Sequence, residues 1–374
     1  MGVATVDDWL KPHNDHQIFF PKLIFVGFLK LFNYELLPIL LLNLSIASVG
    51  FFVIRKVQSE ESEKSLVSDL ILVFPAFIFF SLLQWENFLR FWQFQIILCT
   101  VSFIASSFYL FAKKSGTREI ILALIFAFIS AFSFGSGIIG LLSNGFLLFF
   151  ENNEKAEKKK KIISYFVGIL VISILLFSTL LGGGTKPSLL AGLLPNIAKI
   201  PVFFLFFIGQ VIVYPFFANK VLAALSVASG FMGISIFLFN TVKLFKIRHQ
   251  LNGKIFFLFA LSLWIVLTAG IISVGRVSFG IETSVSSRYS TFSVIFWITN
   301  ISLFFILLNR IKYKIAEPNK FFSFFYKQKG QLNILVLCIL FVGTLNSLYT
   351  NWRFPNYERT TLPAVSEYYS MSGN

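Results

Sequence analysis

The chain of 374 residues is 56% hydrophobic and only 13% charged, with a mean hydropathy of +0.78 and a formal net charge of +15. Soluble domains run about 45–50% apolar and about 25% charged, so this composition excludes an ordinary water-soluble body and makes the lipid bilayer the solvent. Nucleic acid is excluded as the partner of the positive charge, because Lys and Arg stand in short clusters between long apolar runs, where membrane topology accounts for them.

In chain order, a polar stretch with Asp7, Asp8, His13, Asp15 and His16 precedes an amphipathic segment, Ile18 to Phe32. Residues 1–33 therefore read as an outer loop and interfacial helix. Spans of the roughly 20 apolar residues needed to cross a bilayer follow near 36–54, 68–83, 96–112, 162–181, 221–240, 255–274, 291–309 and 332–349. Basic clusters lie at Arg55, Lys56 and Lys64; at Lys113, Lys114 and Arg118; at Lys155 and Lys158 to Lys161; at Lys243 to Lys254; and at Arg310 to Lys329. Short cytoplasmic loops carry the excess of Lys and Arg, so all five are assigned to the inside.

That assignment makes residues 119–150 cross an even number of times, although the run is short for two full spans. Ser133, Gly135, Ser136 and Gly137, then Ser143, Asn144 and Gly145, interrupt it. The expectation is a pair of short helices whose bend is buried against protein, since bare backbone cannot face lipid; one long tilted helix is the competing reading. Residues 182–219 must leave and return on the outer side. Either 201–216, broken by Gly209, Gln210 and Pro215, dip in and come back, or a further short span lies in 187–200. Parity places the N-terminus and the tail 351–374 outside. With no basic start, apolar core and small-residue cleavage site ahead of it, an exported N-terminus points to a first helix absent from this chain. The fold class expected is all-α: one polytopic transmembrane helix bundle over residues 1–350, with about 10–12 membrane segments including short or re-entrant helices.

The unusual polar residues collect on the outer side. Asp7 and Asp8 are candidates for a general base, because an acceptor hydroxyl becomes a competent nucleophile when a positioned carboxylate takes its proton; a solvated acidic turn is the alternative. His13 and His16, with Asp15 nearby, allow a divalent cation, although Pro12 opposes a helix there. The segment Gln84, Trp85, Glu86, Asn87 through Gln93 and Gln95 combines groups that stack and hydrogen-bond, a composition suited to sugar recognition. Trp85 and Trp92 also suit an aromatic belt, and Glu86 with Arg90 an ordinary helical ion pair. Arg276, Arg288 and Tyr289 flank the last outer loop, where an arginine binds phosphate through a bidentate fork or snorkels to headgroups. Ser133 and Asn144 at the outer bend complete the candidate substrate-binding set.

Cys99 and Cys338 both lie in apolar segments and form no disulfide framework or metal spacing. The chain contains no GxxxxGK[ST], HExxH or GxSxG, so nothing supports ATP-driven or zinc-hydrolase chemistry.

Asp-Asp-Trp followed by Lys-Pro-His-Asn-Asp-His-Gln, then Gln-Trp-Glu-Asn-Phe with Gln93 and Gln95, then Ser133 to Gly145, then Ser-Ser-Arg-Tyr at 286–289, resemble largely uncharacterised bacterial multi-spanning proteins similar to C-type glycosyltransferases. The resemblance is scattered over most of residues 7–300. It implies an outward-facing pocket, Asp7 or Asp8 as catalytic base or metal-associated carboxylate, and a polyprenyl-phosphate-linked sugar as donor. It further implies a glycan or lipid acceptor of the cell envelope and a place in the bacterial inner membrane. The first outer loop here has no helix before it, unlike the pattern resembled, and only a short tail follows the last span. Transport or flipping of a lipid-linked saccharide, or a noncatalytic role in polysaccharide assembly, are the other functions compatible with the composition.

Overall fold

A computed structural model describes residues 17–62, 75–90, 93–114, 116–151, 155–180, 194–213, 219–312, 341–345 and 348. Among them the chain is all-α, without strands. The helices are α1 (Phe19–Leu31), α2 (Leu37–Glu61), the short α3 (Trp85–Leu89) after a 3-10 turn Leu82–Gln84, and α4 (Phe94–Ser107), extended by a wider π-type turn Phe108–Ala112. Next come α5 (Thr117–Ala131), α6 (Ser136–Leu148), α7 (Lys155–Leu180), α8 (Ile200–Gly209), α9 (Lys220–Ile247), α10 (Gly253–Arg276) and α11 (Ser290–Lys312). Among the described residues six helical segments are long and apolar enough to cross a membrane: α2, α4 with its extension, α7, α9, α10 and α11. Of the expected spans, residues 68–74 of 68–83 and most of 332–349 lie outside the described residues.

Local chemistry sets several boundaries. Asn219 caps α9 by accepting from the amides of Val221 and Leu222 at 3.0 and 3.2 Å, and Asn252 caps α10 by accepting from Ile255 at 3.3 Å. The run 119–150 is divided between α5 and α6 by a turn at 132–135. That turn is buried: the Ser130 hydroxyl donates to the Cys99 carbonyl at 2.9 Å, and the Trp264 indole donates to the Ser136 carbonyl at 2.8 Å. A Cβ on Gly137 would come within 2.3 Å of the Ser130 carbonyl, so the two helices turn this tightly only with glycine there. Cys99 is packed in the interior, within 3.4 Å of Ser130 and Ser136, rather than facing lipid.

The basic loops gather at one end of the bundle: a Cβ on Gly253, at the start of α10, would meet the Phe111 carbonyl at 1.9 Å and the Glu151 carboxylate at 3.4 Å. There the Glu61 carboxylate at the end of α2 takes the Arg310 guanidinium from α11 and the Asn252 amide at 2.8 Å, with Lys254 of α10 at 3.8 Å. Lys161 pairs with Glu151 at 2.6 Å, and Lys160 donates to Thr117 at 2.9 Å. The opposite end carries the α5–α6 turn, the segment 82–90 and the loop 277–289.

Helix α11 is almost wholly buried and α10 largely so, whereas α7 and α9 show broad apolar faces. Phe177, Phe231, Leu238 and Val242 are exposed on those faces, positions that suit hydrocarbon contact. Between the helices small and polar residues join a large core of buried apolar side chains. A Cβ at Gly209 would sit 2.0 Å from the Ser226 carbonyl oxygen and one at Gly230 2.1 Å from that of Leu205, so α8 and α9 cross backbone to backbone. The Asn240 amide donates to the Asn300 side chain at 2.8 Å, Asn300 donates to the Gly233 carbonyl at 2.9 Å, and Gln58 donates to Ser302 at 2.7 Å. Each such bond removes a polar group that lipid could not satisfy.

Candidate functional site

The candidate site is built at the end of the bundle opposite the basic loops, where segment 82–90 meets the loop leading into α11. Glu86 is its organising residue. One carboxylate oxygen accepts from the Ser286 hydroxyl at 2.9 Å and the Arg288 backbone amide at 3.0 Å, and the other accepts from Arg90 at 3.0 Å. The Ser287 hydroxyl donates to the Leu83 carbonyl at 2.8 Å, and the Glu86 amide donates to Ser287 at 3.2 Å. Two chain segments 200 residues apart in sequence are thereby fastened together.

Asn87 completes the fastening. Its side-chain amide donates to the Arg288 carbonyl at 3.0 Å and to the Thr291 hydroxyl at 2.8 Å, while its backbone carbonyl receives the Asn43 amide from α2. Thr291 also donates to the Gln84 side chain, and Gln84 in turn donates to the Phe79 carbonyl. Gln84 and Asn87 are fully buried. Their amide nitrogens donate to protein, while the buried Asn87 Oδ1 finds no donor among the described residues. Gln210, just past α8, holds the same loop by donating to the Ser284 carbonyl at 3.4 Å.

On this base Arg288 is exposed. Its Nε donates to Ser286 at 2.9 Å and its guanidinium lies 5.6 Å from the Tyr289 ring centre. Among the described residues neither of its Nη nitrogens meets an acceptor. Tyr289 is buried, with its ring 5.3 Å from Phe207. Arg276 lies over the Phe279 ring at 5.4 Å and Arg90 over Trp85 at 4.5 Å. The fold holds three arginines against aromatic faces at one end of the bundle. Only one described carboxylate, Glu86, is bonded into the loop.

The remaining candidates divide. Gln93 and Gln95 begin α4, and their buried side-chain carbonyl oxygens find no donor among the described residues. Ser133 is buried in the α5–α6 turn, its hydroxyl donating to the Ile129 carbonyl at 2.6 Å. Asn144 is exchanged with Ser107 at 3.1 Å within the bundle, about 12 Å along α6 from its start at 1.5 Å per residue, and it stands apart from the loop. Asp7, Asp8, His13 and His16 lie outside the described residues. Among the described residues no three of His, Cys, Asp and Glu gather as a metal site. Sequence reasoning missed Asn43, Ser286, Ser287 and Thr291 as the partners that fasten the loop. A lone asparagine inside the apolar run 36–54 was the available signal, since a polar side chain within a span is expected to have a partner.

Six apolar helical segments, a lipid-suited exterior and hydrogen-bonded polar residues inside define a multi-span helical membrane protein. No family model matches the chain, and neither a curated protein nor a solved structure does so.

Proposed function

We propose that this protein is a glycosyltransferase of the C-type kind, moving a sugar from a polyprenyl-phosphate donor to an envelope glycan or lipid acceptor at the outer face of a bacterial inner membrane. The observation that carries the reading is Arg288: an exposed guanidinium, held by Ser286 and Tyr289, with both Nη nitrogens unspent among the described residues. A guanidinium so held suits the bidentate geometry of a phosphate.

In the proposed reaction Asp7 or Asp8 takes the proton of an acceptor hydroxyl, whose oxygen bonds to the anomeric carbon. The bond from that carbon to the donor's phosphate oxygen breaks, and the electron pair leaves with the polyprenyl phosphate. Arg288, aided by Arg276, stabilises the charge that develops on the phosphate through charge-assisted hydrogen bonds. The unfilled acceptors of Gln93 and Gln95 suit donation by sugar hydroxyls. Glu86, Gln84 and Asn87 act from behind by fixing the Arg288 loop.

The test is binding of polyprenyl phosphate to the purified full chain in detergent. Arg288→Ala is expected to weaken it about 30-fold, the equivalent of roughly 2 kcal/mol for a charge-assisted bidentate contact, with Arg288→Lys falling between. Equal binding by wild type and Arg288→Ala would remove the phosphate-binding role.

A further inference from the structure

The basic residues at the other end of the bundle are not all alike. Glu60 and Glu61 hold Lys254, and Glu61 also holds Arg310. In the run Lys158 to Lys161, the last lysine turns inward and is spent on Glu151 at 2.6 Å, both side chains being almost completely buried. At the starts of α5 and α7 stands another group, Lys113, Lys114, Arg118, Lys158, Lys159 and Lys160, with Glu119 and Glu157 in the same first turns. Among the described residues none of these six pairs with a carboxylate. Lys158 donates to the Phe149 carbonyl at 2.9 Å, Lys160 to the Thr117 hydroxyl at 2.9 Å, and Lys113 lies 5.3 Å from the Phe108 ring centre, so the partners they do have are uncharged. Five of the six are exposed and Lys158 is half-buried.

The Lys160–Thr117 bond brings the first turns of α5 and α7 together, and the polar starts of these helices also direct positive dipole ends to the same surface. One to three turns further along, Ile121 and Ile125 on α5 and Ile163, Phe166 and Val167 on α7 are exposed. Cations at the rim and exposed hydrocarbon next to them match, in that order, the headgroup and acyl chains of a single molecule.

We propose that the α5–α7 rim is a binding site for an anionic phospholipid of the surrounding leaflet, its phosphate among Lys114, Arg118 and Lys159 and its chains along the exposed faces of α5 and α7. This site is at the opposite end from Arg288 and does not depend on the glycosyl-transfer reading. A lipid phosphate is favoured over a soluble anion because the apolar faces continue directly from the cations. Each cation near a membrane surface contributes about five-fold to anionic-lipid affinity.

The experiment is a lipid titration of the purified full chain in detergent micelles, read by native mass spectrometry, with phosphatidylglycerol and phosphatidylcholine as the probes. Wild type should retain phosphatidylglycerol at least about tenfold more tightly than phosphatidylcholine. The exposed triple substitution Lys114→Gln, Arg118→Gln and Lys159→Gln should lower that affinity by more than about tenfold. Lys30→Gln, Lys199→Gln and Lys220→Gln, which remove the same charge elsewhere, should change it by less than about three-fold. Monodisperse elution and an unchanged Tm for both triple variants show that the fold is kept. No preference in the wild type, an equal loss in both variants, or a loss in the rim variant below tenfold would each overturn the proposal, and competition by inorganic phosphate alone would reassign the rim to a free anion.

Discussion

Replacing Glu86 by glutamine keeps the volume of the side chain but removes its charge and turns one of two acceptor oxygens into a donor. In the native loop both oxygens are used. One accepts from Ser286 and the Arg288 amide and the other from Arg90. Whichever way the new amide turns, an N–H faces a group that is itself a donor. The Arg90 contact has its arginine about one-third exposed and is discounted as a partly solvated i,i+4 pair, worth about 0.3–0.5 kcal/mol. A hydrogen bond to a charged group is worth about 1.5–3 kcal/mol, so loss of the Ser286 and Arg288 contacts in their charged form should weaken docking of the loop by about 2 kcal/mol, or about 30-fold in its opening equilibrium. Hydrogen–deuterium exchange in micelles reads this directly. Peptides covering 281–290 and 82–90 should exchange about 30-fold faster in Glu86→Gln, while peptides from the Glu61 end of the bundle should not change. Arg90→Ala should accelerate exchange by no more than about three-fold. Unaltered exchange in Glu86→Gln would refute the clamp, and uniform acceleration along the chain would show that Glu86 supports global stability instead.

Other substitutions test the packing and the opposite end. Gly209→Ala and Gly230→Ala push a Cβ to about backbone contact, 2.0 and 2.1 Å from carbonyl oxygens, and each should cost about 1–3 kcal/mol in a thermal or denaturant assay; Gly270→Ala, where a Cβ meets nothing within 4 Å, should be close to neutral. Glu61→Ala leaves Arg310, Asn252 and Lys254 without their shared carboxylate and should lower Tm more than Glu60→Ala, whose one described partner is Lys254 at 3.0 Å. Asn300→Leu removes the side-chain acceptor of the Asn240 amide, which keeps the Asn300 backbone carbonyl at 2.9 Å, and the side-chain donor to the Gly233 carbonyl, and should cost about 0.6–2 kcal/mol, the scale of hydrogen bonds between membrane helices.

The membrane class of the chain was readable in its composition, and the long helices in runs of apolar residues, because a bilayer imposes a minimum length that no other solvent does. The turn between α5 and α6 was readable from Ser133 to Gly137, since small residues permit the close approach that Gly137 makes. What the sequence withheld was partnership. Gln84, Asn87 and Glu86 have the side chains of a sugar site, but amides and carboxylates serve equally well to bind a loop 200 residues away. Residue type alone does not reveal that these side chains also reach Ser286, Ser287 and Thr291. Asn43 was passed over because a single polar residue inside a span reads as a minor interruption, whereas its amide ties α2 to Asn87. Likewise, all the lysines of 158–161 look solvated in sequence, and only the fold shows Lys161 buried on Glu151.

Sugar transfer itself is the most direct measurement. The full chain, reconstituted in liposomes, would be given a panel of labelled polyprenyl-phosphate sugars with an envelope lipid extract as acceptor, beside a variant carrying Asp7→Asn and Asp8→Asn. Label moving to the acceptor with release of polyprenyl phosphate, at a rate at least about 100-fold lower in the double variant, is the predicted result for loss of a general base. Transfer by the double variant at the wild-type rate, or label that stays on every donor in the panel, would contradict it.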